Sequence, residues 1–216
     1  MTNNTQSEQA IIDFPIVFTF SGVMHSGKDT CAKMMFDELQ KQGKKVLYVN
    51  YADFLKVVCK RNFGYDDNNK DEDRHILQDF GTYVRSIDER FWVDTVCHLF
   101  DVLRHEYDAF IVGDVRYENE MKPYPYRLSY PFFNIYVNRD LDESIDQQSL
   151  SHESEEMNLK PDLETFHFIV DNNGTLTETE EQIKQIIDLC FEYKQKFLDQ
   201  QRGITDEQLQ DILEQQ

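Results

Sequence analysis

Positive charge is what this chain has least of: 22 Lys and Arg stand against 41 Asp and Glu in 216 residues, a formal net charge of −19. Such a surface repels nucleic acid and anionic lipid, which argues against both as partners. A site for a phosphate-bearing ligand must then gather scarce cations locally, so each Lys or Arg near a motif is informative. Cysteine is scarce as well. Cys31, Cys59, Cys97 and Cys190 form no CxxC pair, which argues against a zinc site and for a reducing, cytoplasmic setting. No apolar run is long enough to span a membrane, and the first 14 residues are polar and acidic, without a signal-peptide pattern. Internal repeats and interdomain linkers are missing too, so one domain is expected.

Against this background one stretch stands out. An apolar run, Ile16 to Phe20, leads into Ser21-Gly22-Val23-Met24-His25-Ser26-Gly27-Lys28-Asp29-Thr30, and a helical pattern follows. Strand, glycine-bracketed loop and Gly-Lys at a helix start form the sequence pattern of a P-loop. Gly22 and Gly27 permit backbone angles that turn successive N–H groups around a phosphate. The helix N-terminus adds its positive end, and Lys28 a mobile charge. The residue after the lysine is usually Ser or Thr; here it is Asp29, followed by Thr30. A carboxylate can serve magnesium directly or through water.

The rest of the chain alternates strands and helices. Residues 1–13 read as a disordered lead. Strands are expected at about 15–21, 46–49, 109–113, 132–137 and 166–170. Helices are expected at about 28–42, 51–61, 73–88, 91–105 and 178–200, with a tail helix capped by Thr205 in 201–216. The helix over 73–88 carries Ile76, Leu77, Phe80, Val84 and Ile87 on one face. Residues 66–73 read as a polar loop, and 121–131, with Pro123, Pro125 and Pro131, as another. The segment 139–165 reads as mobile. Short apolar strands between helices imply a parallel α/β sheet of about five strands flanked by helices, with ligands at the strands' carboxyl ends.

A second constellation lies at the end of the third strand. Asp114 follows an apolar run and has the form of a Walker B carboxylate that holds magnesium water. Arg116, two residues on, points to the same side if the strand continues; its alternative is a salt bridge to Glu118 or Glu120. Arg85 suits either an acceptor phosphate or a solvated helix face. Arg139 directly follows the fourth strand. His25 is either a phosphate contact or loop filler. Trp92, the single tryptophan, packs in the core by default, with base stacking as the lesser alternative. The spacing in His152-Glu153-Ser154-Glu155 matches no metal site.

Taken together, these pieces resemble the deoxynucleoside monophosphate kinases of bacteriophages and their bacterial relatives, in the P-loop NMP-kinase superfamily. The carrying residues are the Gly27-Lys28-Asp29-Thr30 loop ending, Ala52-Asp53-Phe54-Leu55-Lys56, Leu77 to Thr82 with Trp92-Val93, Asp114-Val115-Arg116 with Asn119-Glu120, Ser151 to Glu155, and Asp171 to Thr175. The resemblance implies a three-layer P-loop fold over about 14–200, with an NMP-binding segment and a lid at about 139–165. It implies ATP and Mg2+ as cofactors and a nucleoside monophosphate as acceptor. Gly22 through Thr30 would hold nucleotide, with Lys28, Arg116 and Arg139 catalytic. Asp29 and Asp114 would serve the metal, and Asp53, Lys56, Arg85, Trp92, Arg116 and Glu120 the acceptor. Family members can carry basic residues in mid-loop, where this chain has Met24 and His25. A kinase of another phosphorylated metabolite and a non-catalytic nucleotide binder are the rival readings. A homodimer is compatible with all of them.

Overall fold

The computed structural model describes residues 14–121, 131–140 and 162–201. The expected lead at 1–13, the core of the proline-rich loop, lid residues 141–161 and the tail from 202 lie outside the described residues. Five strands form one parallel sheet in the order β2-β3-β1-β4-β5. They are β1 (Ile16–Ser21), β2 (Val46–Val49), β3 (Ala109–Val112), β4 (Phe132–Asn138) and β5 (Phe168–Asp171). Among the described residues the helices are α1 (Lys28–Lys41), α2 (Tyr51–Asn62), α3 (Lys70–Ile87), α4 (Phe91–Leu103), the short α5 (Glu118–Met121) and α6 (Leu176–Gln201).

β1 lies between β3 and β4, with Phe18 opposite Ile111 on one side and Phe133 on the other. All six of its residues are buried. This is what a strand covered on both faces requires, and it explains the unbroken apolar run. Ile16, Phe18 and Phe20 pack towards α1 and α6 with Ala32, Met35, Ile183 and Ile187. Val17 faces the opposite layer, with Phe100, Phe110 and Val112. Removing a side chain such as Phe18 from water contributes on the order of 2–3 kcal/mol, so the strand carrying the P-loop is anchored by its own sequence.

A third, smaller cluster joins α2, α3 and α4: Leu55, Cys59, Tyr65 and Trp92, with Ile76, Leu77, Phe80 and Val84 against them. Ile87 does not share this face. It is 71% exposed at the last turn of α3, where the helix has run past the cluster. The expected loop at 66–73 is mostly helical. A 3-10 turn at Asp67–Asn69 runs into α3, which begins at Lys70.

Candidate active site

The loop after β1 has the backbone that its glycines foretold. Gly22 sits at φ 152° and Gly27 at φ 89°. A Cβ on Gly22 would fall 2.7 Å from the Val137 carbonyl oxygen, so β4 itself demands glycine there. His25 also has positive φ, 66°, which the sequence reading missed. Histidine enters this region more readily than most side chains. It is exposed at the loop tip, while Met24 is half-buried and Val23 buried.

Gly27 is the N-cap of α1, and no side chain caps it. The first-turn amides are therefore not satisfied by a capping side chain, the condition under which a helix N-terminus receives an anion. Lys28 opens the helix at 8% exposure, followed by the exposed Asp29 and Thr30. Ser26 is fully buried, and its hydroxyl has no hydrogen-bond partner. The Asn172 side-chain amide donates to the Ser26 carbonyl at 2.8 Å, and its Oδ1 accepts from the Thr179 hydroxyl at 3.0 Å. Asn172 thus ties the loop to α6. It entered the sequence reading only within Asp171 to Thr175, without a role of its own, because nothing in a single sequence links positions so far apart.

Asp114 lies beyond the end of β3, beside the N-terminus of α2. One carboxylate oxygen accepts the Tyr51 N–H at 2.8 Å and the other the Ala52 N–H at 3.0 Å. Burial raises its pKa, opposed by these two amides and by the nearby charges of Arg116 and Lys56. The strand does not continue to Arg116, so the alternation expected there does not apply. β3 stops at Val112, and the Arg116 main-chain N–H turns to Glu120 Oε2 at 2.7 Å.

Tyr48, at the end of β2, is a site residue that sequence reasoning did not single out. Burial, followed by the charges of Asp29, Asp114 and Asp53, pushes its hydroxyl well above the ordinary range. The charges of three of the expected site carboxylates are therefore felt at this one hydroxyl. Gly113 makes room for it, since a Cβ there would overlap the Tyr48 hydroxyl. Among the described residues no group of three His, Cys, Asp or Glu side chains forms a metal cage. Magnesium usually needs only one or two carboxylates beside water and phosphate, so the oxygen-donor set around Tyr48 suits it.

The acceptor candidates divide. Asp53 is the N3 member of a capping box on α2: its Oδ2 accepts the Asn50 N–H at 2.8 Å. Asn50 followed by Asp53 is a capping signature that was available in the sequence. Lys56 lies 3.6 Å from Asp53. Trp92 is 3% exposed, edge-on to Phe91 and Phe80, inside the third cluster. Glu120 is 1% exposed, and its Oε1 accepts from Arg85 Nη2 at 3.0 Å. Burial and the charge of Asp114 push its carboxyl up to about 7, against the amide of Arg116 and the guanidinium of Arg85. Arg139 is exposed just past β4.

Comparison with known proteins bears on the family and on the fold. The family model for deoxynucleotide monophosphate kinase matches residues 40–183, about two thirds of the chain. No curated protein sequence matches. Among solved structures, dephospho-CoA kinase from Campylobacter jejuni is similar with a TM-score of 0.50 at 11% identity, over 82% of this chain and 97% of that one. TT1252 from Thermus thermophilus gives a TM-score of 0.49 at 17% identity, over 81% and 97%. At these identities the structural likeness concerns the fold, a P-loop kinase sheet with its flanking helices. The family match extends further: this chain belongs to the deoxynucleotide monophosphate kinase family, and is a nucleotide kinase.

Proposed function

We propose that this kinase transfers the γ-phosphoryl group of ATP to the phosphate of a deoxynucleoside monophosphate, giving the diphosphate. The observation that carries the reading is the uncapped N-terminus of α1, opened by Lys28 behind the Gly22–Gly27 loop. Phosphoryl transfer asks little covalent chemistry of a protein. It asks for alignment of donor and acceptor and for neutralisation of charge on the transferring group.

In this reading the loop amides from Gly22 to Thr30 cradle the ATP phosphates. Lys28 neutralises charge on the γ-phosphoryl as it leaves ADP. Asp29 and Asp114 would hold magnesium, Asp114 with the lone pairs that its bonds to the Tyr51 and Ala52 amides leave. Magnesium would screen the phosphate oxygens from one another. Arg116 carries the acceptor phosphate with help from Lys56, and Arg139 closes over the transferring group. The acceptor oxygen attacks phosphorus in line, and its negative charge passes to the ADP oxygen that leaves.

Coupled ADP production with Mg-ATP and each common and modified (d)NMP in turn tests the proposal. Turnover with one or a few acceptors is expected, none without acceptor. Silence across the panel with ATP still bound would shift the reading to another phosphorylated metabolite or to a non-catalytic binder.

A further inference from the structure

A line of buried hydrogen bonds crosses the sheet on the face opposite α1. Thr19 is two residues from Val17 on β1, so it shares that face, and it is 1% exposed. It lies opposite Asn134 of β4, and its hydroxyl donates to Asn134 Oδ1 at 2.7 Å. Asn134, 5% exposed, carries the line on. Its Nδ2 donates to the carbonyl of Met121, the last residue of α5, at 3.1 Å. A carbonyl can only accept, so the direction of both bonds is fixed. The main chain of Asn134 is held as well. Its N–H donates to His167 Nδ1 at 3.0 Å, and its carbonyl accepts the His167 N–H at 2.9 Å, just before β5. Each polar atom of this asparagine therefore has a partner.

The two ends of the line carry different parts of the reaction. β1 runs into the Gly22–Gly27 loop and Lys28. At the other end, Glu120 of α5 accepts the Arg116 N–H at 2.7 Å. The carbonyl of Glu120 accepts the Tyr51 hydroxyl at 3.1 Å, while the Tyr51 N–H donates to Asp114. With four residues, α5 is too short to be stable alone, so these side chains decide where it lies relative to β1. A Val and a Leu would fill the places of Thr19 and Asn134. Exchanging both partners of a buried bond for apolar groups can be nearly neutral in stability. What the apolar pair would not do is fix α5 to the strand that leads into the phosphate loop.

We propose that Thr19 and Asn134 are positioning residues for phosphoryl transfer: they set the helix that holds the Arg116 main chain against the strand that carries the phosphate loop, and so align acceptor with donor. The proposal rests on the kinase reading above, in which Arg116 carries the acceptor phosphate, and adds the buried device that brings the two halves into line. Transfer is sensitive to that setting, since a displacement of about 1 Å costs on the order of a hundredfold in rate.

Initial rates with varied Mg-ATP and deoxynucleoside monophosphate, together with melting temperatures, for wild type, T19V, T19S, N134L and T19V/N134L test it. T19V and N134L should each lower kcat about tenfold or more and leave both KM values within about twofold. T19S keeps the hydroxyl and should stay within about twofold of wild type. The double variant buries one unpartnered group fewer than N134L, so it should melt higher while its kcat stays as low. Activity that returns with stability in the double variant would overturn the proposal. So would wild-type kcat in T19V, T19S as slow as T19V, or a rise in KM at unchanged kcat. If N134L does not fold, T19V and T19S decide alone. Hydrogen exchange over residues 116–121 is a readout that needs no turnover. It should be faster in T19V than in wild type, although Thr19 lies on another element. If wild type turns over no monophosphate, faster exchange in T19V keeps the tie while the kinase reading falls; unchanged exchange removes the tie whatever the turnover.

Discussion

The side chain of Asn172 reaches across 146 positions of sequence to donate to the carbonyl of Ser26, in the loop that precedes Lys28. The same amide occupies the space that a Cβ on Gly27 would need. Replacing Asn172 with Ala removes the bond to Ser26 and the one from Thr179, so the loop loses its tie to α6. The expected result is a stability loss of about 1–2 kcal/mol by thermal melting, together with a higher KM for ATP and little change in acceptor KM.

Lys28 opens α1 at 8% exposure, and its charge is held at a helix end that no side chain caps. Lys28→Ala should leave melting nearly unchanged and lower kcat by about a hundredfold or more, as when one preorganised donor is removed from a transition state. Full kinase activity in this variant, measured by coupled ADP production, would remove Lys28 from the chemistry.

Gly113 leaves room for the Tyr48 hydroxyl. Gly113→Ala forces either Tyr48 or the end of β3 to move, which should cost about 1–3 kcal/mol in chemical denaturation. Because the Tyr48 hydroxyl feels the charges of Asp29 and Asp114, the half-saturating magnesium concentration for activity should rise in the same variant. Tyr48→Phe should reproduce the magnesium effect without the stability loss.

The carboxyl of Glu120 lies near 7 in the folded protein against an ordinary 4.5. A raised carboxyl pKa means that the folded state keeps a proton the unfolded chain has released. Its stabilising contribution is complete below about 4.5 and lost as pH rises through about 7. Between pH 5 and 8 this amounts to at most roughly 3 kcal/mol. E120Q has no such proton to lose, so its melting temperature relative to wild type should climb steadily over that interval. A constant offset between the two proteins would contradict the burial of a titrating carboxyl.

Much of the fold was readable locally. The apolar runs of β1 and β3 and the Gly22–Gly27–Lys28 spacing needed only periodicity and glycine's freedom to be recognised. Errors lay where tertiary contact overrode pattern. Ile87 fits the apolar stripe of α3 but outruns the cluster it was expected to join. The polar residues 67–73, without apolar anchors, still form a turn and the start of a helix. Lys60 pairs with Asp67, and Asp73 accepts the Asp66 N–H at 2.9 Å. Arg116 left strand alternation because Glu120 captured its amide.

By itself the sequence determined a parallel α/β core and a phosphate loop at its first strand, since burial on both faces and backbone freedom are written residue by residue. Only the tertiary structure decided how the charged groups divide their work. Glu120 became a buried acceptor for Arg85, Asp53 a helix cap, Asp114 an acceptor for the α2 amides, and Asn172 the tie on the loop. The reason is physical: a polar side chain's role is set by the donors and the dielectric around it, and these come from segments remote in the chain.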